Sequence, residues 1–427
     1  MRLSRITNKG LVVAFTCLVG VATVLYAEPQ EITSSLALDA VVADALQSNP
    51  QIHAMRARWE AAREKPVQER TLPNPEFIYM GMDSTSGYSF PNTPEKRLEL
   101  DQPFPWFGKL GLRSRVAEQD ALAMQREYEA TQREVLMQVK ESYFDLYAVQ
   151  RTISITRAET DVVRQIEQIA ETKYATGTAT QGDVLKAQAE ITVLKQRLLE
   201  LAQQETTLKA RLNQLLDRPA DSSLGLAVTE PAMEFKASAP ELFALAEKRR
   251  PEIQGAAAGV QRSQLERQLM KKEFFPDYRL GVQYRDIGGG DDMVMFIVGF
   301  GLPIWQTKYR AGVREAEKMI ESNRAALEAV KKQTSFDVQD SHFKLLTAQR
   351  TVDLYKGSLI PQAEARFSAS EAGYRTGTVD FLDLLESERF LLDARVMEAT
   401  AEGDVGMQLA RLERAVGTDL TKVEEKK

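Results

Sequence analysis

In Tyr278-Arg-Leu-Gly-Val-Gln-Tyr-Arg285, apolar or aromatic residues alternate with polar residues or glycine, so Tyr278, Leu280, Val282 and Tyr284 share one face and Arg279, Gly281, Gln283 and Arg285 the other. A period of two marks a strand with two unlike surroundings. The apolar face continues through Val294, Phe296, Val298, Phe300 and Leu302, while Gly299 and Gly301 fill positions that a narrow lumen favours. Earlier in the chain, Leu98, Leu100 and Phe104 alternate with Glu99, Asp101 and Pro103 in the same way. Pro73, Pro75 and Pro276 end the helices before these strands, and Pro103, Pro105 and Pro303 mark the return to helix. The expected strands are 76–83, 95–104, 277–285 and 293–302, joined within each pair by polar loops, Asp83 to Pro94 and Asp286 to Asp292. Segments of about ten residues with two unlike faces suit tilted transmembrane strands, lipid outside and water within. Soluble hairpins lying on helices are the other reading of this pattern. Four strands cannot close a barrel around a lumen, so a membrane position requires several copies of the chain to share one sheet.

The strand pairs belong to an internal repeat. Ser142-Tyr-Phe-Asp-Leu-Tyr-Ala-Val-Gln-Arg-Thr152 reappears as Ser341-His-Phe-Lys-Leu-Leu-Thr-Ala-Gln-Arg-Thr351, and Tyr174-Ala-Thr-Gly-Thr178 as Tyr374-Arg-Thr-Gly-Thr378. Asn49-Pro-Gln-Ile52 has its counterpart in Arg250-Pro-Glu-Ile253, and Phe104-Pro105 in Leu302-Pro303. These landmarks divide the chain into a first repeat, 28–221, a linker, 222–240, and a second repeat, 241–427. Each repeat is expected to run helix, two strands, very long helix, turn, helix. The long helices cover 108–176 and 308–376, and the returning helices 180–216 and 380–416. Residues 112–176 hold neither glycine nor proline, and a helix of that length reaches roughly 100 Å. Its apolar stripe (Val135, Val139, Tyr143, Leu146, Val149, Ile153) is narrow and buries a coiled-coil seam. The expected fold is thus mainly α with a small β part: long antiparallel coiled-coil helices plus four strands. The helices alone suit an ordinary bundle or a coiled-coil rod equally well.

Composition narrows the chemistry. Of 427 residues, 43% are hydrophobic and 27% charged, with a net charge of −6 and no long run of one sign. Nothing there selects nucleic acid as a partner. Met1-Arg-Leu-Ser-Arg5, Lys9, the apolar stretch Leu11 to Tyr26 and Ala27 read as a signal peptide over residues 1–27, with an uncleaved anchor as the alternative. Cys17, the single cysteine, lies inside it, so the expected mature chain has no disulfide, thiolate metal site or cysteine nucleophile. A lipid anchor on Cys17 fits poorly between Thr16 and Leu18. No paired histidines, phosphate loop or nucleophile motif is present, so neither an enzyme nor a cofactor or resident metal is expected. His53 and His342 are single residues on helices, and Gly288-Gly-Gly290 and Gly299-Phe-Gly301 lie in a hairpin loop and a strand.

The repeat, the junction Gln102-Pro-Phe-Pro-Trp-Phe-Gly-Lys109, and two turns each followed by an acid and apolar residues (Asp183-Val-Leu185 and Asp383-Leu-Leu385) form an ordered set. In that set the chain resembles the TolC family of outer-membrane efflux proteins, over nearly all of its expected mature length. The resemblance implies a homotrimer in the outer membrane of a Gram-negative bacterium, with a twelve-stranded barrel in lipid and a periplasmic α-barrel tunnel. It implies as partners a periplasmic adaptor (membrane fusion protein) and an inner-membrane transporter of the resistance-nodulation-division type. Gly177 and Gly377 can take the left-handed conformation that ends a helix. In this family such turns, here Gly177, Thr178, Gly377 and Thr378, form the periplasmic tip where the adaptor docks.

By position, Asp383 matches an acid lining that tip, and Glu386, on the same helix face, a second. Three copies would make two carboxylate rings that favour cations. Two solvated surface acids are the alternative. Tyr374 and Asp183 match a hydrogen-bonded pair that holds the tip closed, whereas Val379 stands where the best-known member has arginine, so fewer polar ties are expected. The junction resembles that of the family's heavy-metal branch, which makes metal cations the first expectation for cargo, with drugs or secreted polypeptide (the channel of a type I secretion system) also open. A periplasmic coiled-coil adaptor or scaffold is the competing function class. It would carry one helical hairpin between compact β-domains, not two hairpins and two strand pairs.

Overall fold

A computed structural model describes residues 35–82, 95–231, 237–287 and 290–420. The signal segment 1–27 with Cys17, the loop 83–94 and part of the linker lie outside the described residues. The chain opens with β1 (Ser35–Leu36), α1 (Leu38–Ser48), α2 (Pro50–Arg63) and α3 (Lys65–Arg70), then β2 (Glu76–Met82) and β3 (Glu95–Phe104). Next come α4 (Lys109–Ala175), α5 (Gln181–Leu215) and β4 (Leu226–Ala227). The second half begins with α6 (Ala239–Arg249), α7 (Pro251–Lys272), β5 (Asp277–Ile287) and β6 (Met293–Gly301). It ends with α8 (Gln306–Leu354), a π-helical turn (Tyr355–Leu359), α9 (Ile360–Thr376) and α10 (Phe381–Val416).

Proline sets the breaks. Pro50 and Pro251 stand at the first position of their helices, and the preceding Asn49 and Arg250 are extended, at ψ 123° and 120°. A residue before proline is pushed out of the helical region, so α1–α2 and α6–α7 are elbows. Sequence periodicity predicts a single helix ahead of each strand pair; the structure breaks both at these prolines and the first again at Lys65-Pro66. The expected unbroken helix over 308–376 is interrupted at Tyr355–Leu359 by a π turn. Pro361 has no N–H to give the carbonyl of Gly357 and its ring crowds that carbonyl, so a widened turn accommodates it. α4 meets no such residue and runs unbroken for 67 residues, about 100 Å.

Two belts of side chains tie the long helices to the elbows. Tyr143, fully buried on α4, donates its hydroxyl to the Leu36 carbonyl at 2.8 Å and accepts from the Thr229 amide at 2.8 Å. Leu36, Val41, Val135, Val139, Leu146, Leu212 and Leu216 close around it. At the matching place in the second half, His342 bonds the Ala237 carbonyl at 3.0 Å within a belt of Leu242, Val338, Leu345, Val352, Leu409 and Leu412. The short parallel pair β1–β4, which draws part of the expected linker into the fold, was not legible in the sequence.

Candidate functional site

β2, β3, β5 and β6 form one antiparallel sheet in that order, so the two hairpins join through β3 and β5, and β2 and β6 remain as free edges. Register places Phe77, Leu100, Val282 and Phe296 in one rung and Tyr79, Leu98, Tyr284 and Val294 in the next. This face is bare: Phe77 is 68% exposed and Phe296 82%. On the opposite face the central strands β3 and β5 carry polar residues, flanked by Ile78 and Met80 of β2 and Met295 and Ile297 of β6. Arg279 reaches Asp101 at 3.3 Å, Gln283 reaches Glu99 at 3.3 Å, and Glu95 takes both Arg97 and Arg285. Gly281 and Gly299 make room for these pairs, since a Cβ would lie 2.7 Å from the Asp101 carboxylate and 2.6 Å from the Arg279 guanidinium respectively.

At the sheet's helical end, Trp106 stacks on Phe275 at 5.4 Å and Phe104 on Tyr278 at 5.3 Å. Lys109 is buried between the two halves, donating to Asp277 at 2.9 Å, Glu273 at 3.1 Å and the Phe275 carbonyl at 3.3 Å. Asp277 also accepts the Trp106 amide at 2.7 Å. Lys109 therefore pins one strand-to-helix junction to the other.

The turns lie at the far end of the long helices. Gly177 and Gly377 have φ +76° and +83°, and each turn closes by an amide of Thr178 or Thr378 on the carbonyl of Lys173 or Gly373, at 2.8 and 2.9 Å. Gly177, Thr178, Gly377 and Thr378 are all exposed, as are Asp383 and Glu386 on the first turns of α10. Asp380 caps that helix by accepting the Asp383 amide at 2.8 Å.

The expected Tyr374–Asp183 hydrogen bond is absent. Asp183, at the third position of α5, accepts the Thr180 amide at 3.1 Å in a capping box. Tyr374 turns inward, edge-on to Phe381 at 5.6 Å, and its hydroxyl has no partner among the described residues. Burial, and then the nearby Asp183 charge, push its phenol above the ordinary value. The polar tie across the two turns is instead Lys173, which donates to the Tyr374 carbonyl and lies 4.6 Å above the Tyr374 ring. Val379 fills the space beside Gly373, where an added Cβ would lie 2.4 Å from it.

Further along, arginines of α10 hold the other hairpin: Arg389 binds Glu190 of α5, and Arg395 binds Glu159 of α4. Glu388 stands among them, wholly buried. Sequence reasoning passed over it, although an acid in the apolar seam of Phe381, Leu384, Leu385, Leu391 and Leu392 is a visible anomaly. No group of three or more His, Cys, Asp or Glu among the described residues could hold a metal ion, and no described helix is long and apolar enough to cross a membrane.

The family profile described as outer membrane efflux protein matches residues 41–218 and 242–418, one stretch in each half of the chain. The cobalt-zinc-cadmium resistance protein CzcC of Cupriavidus metallidurans is 24% identical over 398 residues, covering 91% of this chain and 92% of that protein. The outer membrane protein TolC of Vibrio cholerae is 24% identical over 410 residues, 88% of this chain and 89% of that one. Among solved structures, CusC superposes with a TM-score of 0.77 at 17% identity, covering 90% of this chain and 92% of the other. The long helical hairpins and the small four-stranded sheet are thus the fold of known outer-membrane channels. With both halves matched, the chain belongs to the outer membrane efflux protein family, the TolC family that its motifs resemble.

Proposed function

We propose that this outer-membrane protein is the exit duct of a tripartite efflux pump, three copies sharing one twelve-stranded barrel above a periplasmic tunnel of helices. The observation that carries this is the sheet: one bare apolar face, an opposite face charged along its central strands, and two free edges. A monomer in water leaves the apolar face bare and both edges unpaired. Joining β6 of one copy to β2 of the next would pair the edges, give the apolar face to lipid and turn the Asp101–Arg279, Glu99–Gln283 and Glu95–Arg285 pairs toward a lumen. Exposed Trp305 and Phe107, at 73% and 70%, lie where an interfacial aromatic belt belongs. A periplasmic adaptor would have no use for such a face.

At the opposite end, Gly177, Thr178, Gly377 and Thr378 form the surface offered to a periplasmic adaptor, which links the duct to an inner-membrane transporter of the resistance-nodulation-division type. Rings of Asp383 and Glu386, one of each per copy, favour cations over anions at the tip. Likeness to a cobalt-zinc-cadmium resistance protein makes divalent heavy-metal cations the proposed cargo. Deleting the gene should sensitise cells to cobalt, zinc or cadmium more than to a drug panel. Unchanged metal tolerance with drug sensitivity would reject the cargo, and Asp383→Asn with Glu386→Gln leaving cation selectivity intact in planar bilayers would reject the acidic rings.

A further inference from the structure

The apolar seam of α10 has one acid in it. Glu388 has 0% exposure, and neither carboxyl oxygen has a hydrogen-bond partner among the described residues. The charged groups facing it are Glu159 from α4, Glu190 from α5, and Arg389 and Asp393 of its own helix. Arg389 is committed to Glu190, and Arg395 to Glu159 and, at 3.0 Å, to Glu364 of α9. Asp393 is bridged to Arg197 of α5 at 3.5 Å. Every guanidinium nearby is thus engaged, and Glu388 would add an uncompensated negative charge. Because Glu388 is covered within one chain, no residue of a second copy can reach it. A buried carboxyl in that position stays neutral.

We infer that Glu388 is a proton-linked latch: its neutral carboxyl lets α10 lie against α4 and α5, and near neutral pH a movement of α10 that wets the seam ionises it and releases one proton to solvent. The inference rests on reading the helix-turn end as the part of the channel that opens. Burial, then the charges of Glu159 and Glu190, push the carboxyl from the ordinary 4.5 up to about 8. Below 4.5 the group is neutral in both arrangements and pH biases neither. Between 4.5 and about 8 it is protonated when seated and ionised when wet, so rising pH favours the lifted arrangement. Across that window the lifted-to-seated ratio grows by up to about tenfold per pH unit, and it is flat above.

The test is amide hydrogen exchange of residues 381–395 in the assembled protein, corrected for intrinsic rates, between pH 6 and 9, beside single-channel recordings over the same range. In wild type, protection should fall by up to roughly tenfold per unit to about pH 8 and then level off, with open probability rising in step. Glu388→Gln, which keeps a neutral side chain of the same shape, should show neither change. Protection that is independent of pH in wild type, or that varies equally in Glu388→Gln, overturns the latch. If Glu388→Gln does not assemble, the wild-type profile decides alone. pH-dependent protection without conductance at any pH would support the latch and refute the channel reading.

Discussion

Gly406→Ala tests how rigidly α10 is held against α4. A Cβ at Gly406 would lie 2.4 Å from two carbons of the Phe144 ring and 2.6 Å from a third. Ordinary carbon contact is about 3.5–4.0 Å, so the ring or the helix has to move by about an ångström. The ring is poorly placed to yield: Phe144 is 5% exposed and stands edge-on to Tyr143 at 5.4 Å, whose hydroxyl is bonded at 2.8 Å to both Leu36 and Thr229. Against the clash stands helix propensity, which favours alanine over glycine by about 1 kcal/mol. Overpacking a tight seam costs about 1–3 kcal/mol, so the net expectation is a loss of up to about 2 kcal/mol. Thermal unfolding of the detergent-solubilised protein, followed by circular dichroism, should show a lower midpoint. Gly259→Ala, where nothing lies within 4 Å of the added carbon, should show a higher one. Adding Phe144→Leu to Gly406→Ala should recover part of the loss. A midpoint raised by Gly406→Ala to the same extent as by Gly259→Ala would refute the rigid approach of the two helices.

Three further outcomes follow from the geometry. Lys109→Met strips the shared cation from Glu273 and Asp277 and should cost about 2–4 kcal/mol, read as a lower dissociation temperature of the assembled protein on gels. Tyr374→Phe should leave single-channel conductance at the wild-type level, because the hydroxyl it removes ties nothing, whereas Lys173→Met should raise it; the opposite pattern would restore the Tyr374–Asp183 tie. Phe296→Lys puts a charge on the apolar face at a cost of about 2–4 kcal/mol in mid-membrane and should lower the amount assembled in the outer membrane, while Met295→Lys on the other face should assemble normally. Equal effects would mean that the two faces do not meet different surroundings.

Local signals in the sequence carried the strands and the repeat. Alternation in Tyr278–Arg285 and the prolines at 73, 75, 105, 276 and 303 act within a few residues, and backbone sterics translate them directly into strands and breaks. Pro50 and Pro251, legible as landmarks of the repeat, also break helices. The π turn escaped because Pro361 sits inside an otherwise continuous helical pattern. Within the described chain Tyr374 and Asp183 share no hydrogen bond, and the local reason is in the sequence: Thr180-Gln-Gly-Asp183 is a capping signature, and it claims the carboxylate. Lys109 gave no signal, since its partners Glu273 and Asp277 come from the other half of the chain. Glu388 was visible as an acid in an apolar seam, yet that it lacked a partner emerged only once Arg389 and Arg395 were seen to be committed elsewhere.

Native mass spectrometry of the protein extracted from outer membranes tests most directly whether copies of this chain share one barrel. The expected result is a particle of three chains, because the free edges of a four-stranded sheet call for further copies and the proposed twelve-stranded barrel takes three. A single-chain particle, or recovery only from the soluble periplasmic fraction, would contradict it.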